Sequence, residues 1–97
     1  MRMNIQIHSI HFDADKDLLT LINNKLNKLV TFNDSIISAD VFLRIEKNNE
    51  MENKFVDVKM HVPGKELFAK RHATTFEAAL DEVTEALRRQ VVKAHRN

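Results

Sequence analysis

Positive charge is concentrated in the final segment of the chain, EALRRQVVKAHRN, where Arg88, Arg89, Lys93 and Arg96 occur with no acid among the last twelve residues. Lys and Arg side chains gathered on one surface bind phosphate groups in a salt-dependent way. Cations also accumulate at helix C-termini, because the backbone dipole favours them there, and charge pattern alone favours this second explanation. The dipole effect fades beyond the last turn, however, and Arg88 and Arg89 lie about two turns from the end.

The second predicted helix divides its basic residues between two sides. Its outer row, at spacings of four and three, consists of Arg89, Lys93 and Arg96. Arg88 and His95 fall on the opposite flank of the helical wheel. Glu85 can reach Arg88 or Arg89 from the preceding turn, because residues three and four apart are neighbours on a helix.

Further basic residues predict that this cluster extends into a groove between two helices. Lys25 and Lys28 fall on one flank of the first predicted helix. If the two helices lie side by side, these lysines line the same groove as part of the cluster on the second helix. Lys70 and Arg71 stand at the end of the fourth strand, just before that helix. The predicted phosphate-binding set comprises Lys25, Lys28, Lys70, Arg71, Arg88, Arg89, Lys93, His95 and Arg96.

No local motif indicates catalysis or metal binding. The chain has no Cys, which excludes disulfides and thiolate metal sites, and one Gly is too few for a Gly-rich phosphate loop. Asp13, Asp15 and Asp17 lack the Gly and the distal Glu of a calcium loop, so a helix-capping role is favoured. The five histidines are scattered and form no His-x-x-x-His pair on a helix. We therefore expect no catalytic residue, no metal site and no cofactor.

Size and composition indicate one small folded domain. The 97 residues carry a formal net charge of +1, so any polyanion site must come from uneven distribution of charge. No apolar run approaches the roughly 20 residues that a membrane span needs, and the first residues lack the features of a signal peptide. We expect a single domain over residues 1–97, no membrane partner and a cytoplasmic location, which the absence of Cys fits.

Hydrophobic periodicity predicts the element order β-α-β-β-β-α. Four segments alternate as strands do, namely MNIQIHS, ISADVFLRIEKN, KFVDVKMHV and the shorter ELFAKRHA. Two segments have the apolar stripe of a helix, FDADKDLLTLINNKLNKLVTF and TTFEAALDEVTEALRRQVVKAHR. Asp13 or Asp15 can cap the first helix, and Thr74 or Thr75 the second. A tight turn is predicted at Pro63–Lys65, because Pro then Gly fits a type II turn.

These elements predict a two-layer α+β fold. The first two strands are joined through a helix and run parallel if they are neighbours, whereas short turns make the last three an antiparallel meander. Both helices then pack on one face of a four-stranded mixed sheet. The residues of the second strand predicted to face inward are Val41, Leu43 and Ile45. The other face of the sheet is expected to be exposed to solvent and can carry an aromatic patch of Phe42, Phe55 and Phe68.

The order and spacing of several motifs resemble the short-form ribosome hibernation promoting factors, also known as ribosome-associated inhibitors or sigma-54 modulation proteins. The shared features are MNI near the start, KLxKL at Lys25–Leu29, VxLxxEK at Val41–Lys47, and AAxD…LxRQLxK at Ala78–Asp81 and Leu87–Lys93. The likeness covers nearly the whole chain. The fold that it implies also resembles a double-stranded RNA-binding domain, a likeness of fold alone.

The resemblance implies a protein that is not an enzyme and binds the small ribosomal subunit. Members of this family occupy the channel for messenger RNA and transfer RNA, with basic helix residues against rRNA, and thereby block initiation and promote hibernation. The implied partners are the small subunit, its rRNA and other hibernation factors, with no small-molecule substrate. Lys25, Lys28, Arg89 and Lys93 match basic positions of the family, and His95 falls where Lys is frequent.

The chain also departs from the family pattern. Thr75-Phe76-Glu77 stands where Asp-Met-Tyr is frequent, so a contact made by that Tyr is not expected here. Lys70 and Arg71 stand where many members are neutral, so a phosphate contact there is an inference from charge. The chain ends soon after the second helix, which implies that it lacks the C-terminal dimerisation domain of long-form factors.

Two other classes of function are alternatives to ribosome binding. One is a protein-interaction module that acts through a sheet edge or through the Phe42, Phe55 and Phe68 face, without catalysis. The other is a small enzyme, for which a deep pocket lined with His and carboxylates would be required. The sequence gives no reason to expect such a pocket.

Overall fold

The predicted element order is confirmed by a computed structural model, which describes residues 3–46 and 51–95. The strands are β1 (Asn4–Ile10), β2 (Ser38–Ile45), β3 (Lys54–Val62) and β4 (Lys65–Ala73). The helices are α1 (Lys16–Asn27), which continues as a 3₁₀ turn (Lys28–Thr31), and α2 (Phe76–His95). In the described part of the chain, no helix is long and apolar enough to cross a membrane.

The four strands form one sheet in the order β1-β2-β3-β4. β1 runs parallel to β2, and β2, β3 and β4 form an antiparallel meander, as predicted. Gly64 has a φ of 84°, which suits the third position of the type II turn expected between β3 and β4. The predicted strand ELFAKRHA corresponds to β4, which begins one residue earlier because its pairing with β3 starts at Val62 and Lys65.

Side-chain caps mark the start of both helices. Asp15 is the N-cap of α1, and its Oδ1 accepts a hydrogen bond of 2.8 Å from the backbone N–H of Leu18. Thr75 holds the equivalent place before α2, where its Oγ1 accepts a bond of 3.0 Å from the N–H of Ala78. Such caps satisfy backbone donors that have no partner within the helix.

One hydrophobic core lies between the helices and a single face of the sheet. β2 and β3 supply Val41, Leu43, Val56, Val58 and Met60, and the helices supply Ile22, Leu26, Leu80, Val83, Leu87 and Val91. The helical stripes and the alternation predicted from the sequence account for this set. Both helices therefore cover the same face, and the domain has two layers.

The prediction that Ile45 faces inward is wrong. This side chain is 38% exposed, because Ile45 is the last residue of β2 and its partner across the sheet is Lys54, the first residue of β3. Asn33 is the converse case, a polar residue that is buried after α1. Its Nδ2 donates to the carbonyl of Val91 at 3.1 Å, and its Oδ1 accepts from the N–H of Ser35 at 3.0 Å. Asn33 therefore ends the α1 segment and ties it to α2.

Candidate RNA-binding surface

The structure brings basic residues of both helices into one groove. Lys25 on α1 and Lys28 in the 3₁₀ turn lie on one wall, and Arg88 lies on the α2 wall, about a groove of roughly 160 Å³. Sequence spacing predicted that the two lysines share a groove with the α2 cluster. Within that cluster it is Arg88, on the flank towards α1, that lines the groove, whereas Arg89 lines a different depression.

Carboxylates of α2 neutralise part of this charge. Lys25 Nζ lies 2.5 Å from Asp81 Oδ1. Arg88 donates two hydrogen bonds to Glu85, and Arg89 Nη1 lies 3.5 Å from the same carboxylate. Exposed ion pairs of this kind contribute little to stability, so phosphate groups can replace the carboxylates at small cost.

Protonation states of the Glu85 pair follow from its hydrogen bonds. The bond from Arg88 lowers the pKa of the Glu85 carboxyl below its ordinary value, with smaller contributions from the charges of Arg88 and Arg89. The same bond raises the pKa of Arg88. Both groups are therefore charged near neutral pH, and the groove contains a fixed negative charge beside its cations.

Two lysines, Lys28 in the groove and Lys93 one turn after Arg89 on α2, differ from Lys25 and Arg88 in their surroundings. Both are exposed, and in the described residues no carboxylate lies within 4.0 Å of either ammonium group. Phosphate binding at these two positions displaces no existing ion pair. We therefore expect them to contribute more per residue than Lys25 or Arg88.

Arg71 and Arg89 lie in a separate depression, between β4 and the other flank of α2. This depression also contains Asp81, Glu82 and Glu85, so its charges are mixed. The guanidinium of Arg71 donates to the carbonyl of the preceding residue at 2.8 Å. Two residues of the predicted set thus lie together, but three acidic side chains line the same depression.

The structure separates Lys70 from the other predicted residues. Successive residues of a strand point to opposite faces, so Lys70 lies on the open face of the sheet, whereas Arg71 lies on the helix side. The two were predicted to extend the helix cluster together, and their geometry shows that only Arg71 adjoins a helix. His95 ends α2, while its side chain and all of Arg96 lie outside the described residues. RNA contact by all nine residues stays a prediction.

Sequence analysis missed Phe32 as a component of the groove. This side chain follows the 3₁₀ turn, is 44% exposed and lines the groove with Lys28 and Arg88. An exposed ring beside cations can stack on an unpaired base. The signal in the sequence was an aromatic residue placed four positions after Lys28.

In the described part of the chain, no three His, Asp or Glu residues are arranged to hold a metal ion.

Comparison with known proteins identifies the family. The sequence model of the Sigma 54 modulation protein / S30EA ribosomal protein family matches residues 5–97. The chain belongs to this family. The resemblance drawn from its motifs is thereby confirmed.

Curated relatives carry related names. The chain is 30% identical over 90 residues to a ribosome hibernation promotion factor of Deinococcus radiodurans, a match that covers 91% of this chain and 47% of that protein. The chain therefore spans about half the length of that relative. It is 31% identical over 94 residues to a ribosome hibernation promoting factor of Klebsiella oxytoca, with 96% of this chain and 92% of that protein covered.

Solved structures have the same fold. A ribosomal subunit interface protein from Coxiella burnetii superposes with a TM-score of 0.87 at 23% identity, over 98% of this chain and all of that one. The N-terminal domain of Protein Y from Thermus thermophilus gives a TM-score of 0.79 at 18% identity, over 96% and 98% of the two chains. These similarities confirm the α+β architecture, with its four-stranded mixed sheet and two helices.

Proposed function

We propose that this chain is a ribosome hibernation factor that binds the small ribosomal subunit through the groove between α1 and α2. The observation that carries the proposal is the groove itself, which joins Lys25 and Lys28 to Arg88 across two helices of a family member. The names of its relatives in Deinococcus and Klebsiella support the same role. The partner is rRNA, and the protein acts by occupying the channel for messenger RNA and transfer RNA.

The mechanism is electrostatic and steric rather than catalytic. Phosphates of rRNA contact Lys28 and Lys93 directly, and they displace Asp81 and Glu85 from their exposed ion pairs with Lys25 and Arg88. The rigid two-layer fold then blocks the channel to other ligands. A factor of this kind needs no cofactor or small-molecule substrate, and it works in the cytoplasm, where ribosomes are.

Cosedimentation with purified small subunits across a range of salt concentrations tests this function. Counterion release predicts that the logarithm of the affinity falls linearly with the logarithm of salt concentration, by about 0.7–0.9 per phosphate contacted. With Lys25, Lys28, Arg88 and Lys93 engaged, we expect a slope of about three. Absence of binding at low salt would reject the proposed function.

A protein-interaction module is the second candidate, and one observation favours it. Ile10 and Ile45 are exposed at one end of the sheet, where they line a mostly apolar depression of about 370 Å³. Apolar contacts strengthen rather than weaken as salt rises, because salts are excluded from protein surfaces. Self-association that persists at high salt, together with no binding to small subunits, would support this candidate over the first.

A further inference from the structure

The sheet face turned away from the helices has a basic and aromatic group outside the proposed groove. The register of β3 and β4 places Lys59 opposite Phe68, and alternation along β4 places Lys70 on the same face. All three side chains are exposed. Cross-strand pairs have Cβ atoms about 5 Å apart, and residues two apart on a strand are about 6.6 Å apart. The ring therefore has a lysine on each of two sides. We call these three residues the open-face patch.

Phe68 differs from the other aromatic residues of this face because its ring is uncovered. Phe42 is stacked on His8 with ring centroids 4.9 Å apart, and Phe55 is stacked on His72 at 4.8 Å. Phe68 is 47% exposed, and among the described residues no ring stacks on it. A large apolar ring on an otherwise polar surface is available to an incoming flat group.

The ammonium groups of Lys59 and Lys70 are also available to bind a ligand. Asp40 and Asp57 are the residues directly opposite Lys59 and Lys70 in the sheet, but Asp40 contacts His8 and His61. One oxygen of Asp57 lies 3.0 Å from Arg44. In the part of the chain that the structure describes, no carboxylate lies within 4.0 Å of either lysine of the open-face patch. The patch therefore combines an uncovered ring with two lysines that are not held in close ion pairs.

We infer that the open-face patch binds an unpaired RNA nucleotide. The base stacks on Phe68, and the phosphates on either side of it contact Lys59 and Lys70, a combination that single-stranded nucleic acid sites use. Duplex RNA is excluded as the ligand, since its base faces are already stacked within the helix. A protein partner is disfavoured, because lysines are depleted at protein interfaces.

The backbone beneath the patch is fixed, which favours binding. The side chain of Gln90 on α2 donates a hydrogen bond of 2.9 Å to the main-chain carbonyl of Phe68. β4 is also paired with β3 along its whole length. A ring on a rigid strand loses little conformational freedom when a base stacks on it. The inference rests on the proposed function, since it gives the domain a second contact to RNA on the side opposite the groove.

A tryptophan placed at the patch reports on stacking directly. The chain contains no Trp, so Phe68→Trp introduces a single fluorophore that keeps an aromatic ring. An unpaired RNA oligonucleotide of about eight nucleotides is expected to quench its fluorescence at low salt, whereas duplex RNA is not. Anisotropy of a labelled oligonucleotide measures binding independently. The inference is overturned if the oligonucleotide binds without quenching the tryptophan fluorescence, or if it does not bind at low salt.

Affinity variants with a matched control complete the test. Phe68→Leu keeps an apolar side chain and is expected to weaken oligonucleotide binding about tenfold, whereas Phe42→Leu on the same face leaves it unchanged. Lys59→Ala and Lys70→Ala are each expected to lower the salt slope by about 0.7. Equal losses at positions 42 and 68 would overturn the inference, since they would indicate a merely structural effect.

Small-subunit sedimentation separates this inference from the function on which it rests. Quenching at position 68 by the oligonucleotide, without binding to small subunits, would reject the hibernation function and keep the RNA site. Binding to small subunits that is insensitive to Phe68→Leu, with no quenching by the oligonucleotide, would reject the open-face patch alone.

Discussion

Arg88 and Glu85 lie one turn apart on α2 and are joined by two hydrogen bonds, one of them from Nε to Oε2 at 3.2 Å. This pair forms part of the groove between the helices, next to Lys25 and Lys28. The groove is thus a basic surface with a built-in competitor for its own cations. In the proposed function, Arg88 exchanges this carboxylate for a phosphate of rRNA, and several consequences can be measured.

Removal of the competing carboxylate should strengthen binding. Glu85→Gln keeps the size of the side chain but deletes the charge that Arg88 and Arg89 contact. We expect affinity for small subunits to rise about twofold to fivefold at low salt, because the variant removes a weak, solvent-exposed competitor for the cations. Equilibrium sedimentation of the two proteins measures this difference. Glu77→Gln, at the far end of α2, is the control and should have no effect; weaker binding by Glu85→Gln would contradict the exchange.

The titration of Glu85 should depend on Arg88. The hydrogen bond from Arg88 lowers the pKa of Glu85 below the ordinary glutamate pKa of 4.5. The carboxylate therefore stays charged until the pH falls below 4.5. The interaction is therefore present above pH 4.5 and lost as the pH falls through the lowered pKa. Side-chain carboxyl NMR should show this pKa returning towards 4.5 in Arg88→Gln. A smaller rise is expected in Arg89→Gln, because Arg89 is the weaker cause; the reverse order would be inconsistent with the geometry.

Loss of the Asn33 side chain should destabilise the fold. Asn33 is buried and donates its amide to the carbonyl of Val91. Asn33→Ala leaves that carbonyl and the Ser35 N–H without their partner, so we expect the free energy of unfolding to fall by about 1–3 kcal/mol. Urea denaturation measures the change. Asn24→Ala, at an exposed site of α1, should change it by less than about 0.5 kcal/mol. Similar losses in both variants would mean that burial of Asn33 is not what matters.

The fold could be predicted from the sequence because its patterns are local. Alternation in KFVDVKMHV and the stripe from Leu80 to Val91 each depend on neighbours a few residues away, and both are confirmed by burial. The inward prediction for Ile45 failed because alternation assigns a face of the sheet to a residue but does not say where the covering helices end. β4 begins one residue before the predicted segment, since pairing with β3 includes Lys65.

The candidate site was less accessible to prediction because it depends on tertiary geometry. A helical wheel separates Arg88 from Arg89, but which flank meets α1 depends on how the helices lie on the sheet. The placement of Lys70 on the open face required the register of β4 as well as its existence. The contact between Lys25 and Asp81 joins residues 56 positions apart, so no local pattern indicates it. Charge counts therefore overestimate the number of cations that are free.

Charge reversal at Lys28 and Lys93 tests the proposed function most directly. Lys28→Glu with Lys93→Glu should weaken binding to purified small subunits by at least about tenfold at low salt and reduce the salt slope by about 1.5, because two phosphate contacts are lost. Lys16→Glu with Lys54→Glu makes the same change in net charge at the opposite end of the helices, near the start of α1 and beside Ala73. We predict that this control binds like the unaltered protein. Equal affinity of the two double variants would contradict the proposal that rRNA contacts both the groove that contains Lys28 and the neighbouring row of α2 that contains Lys93.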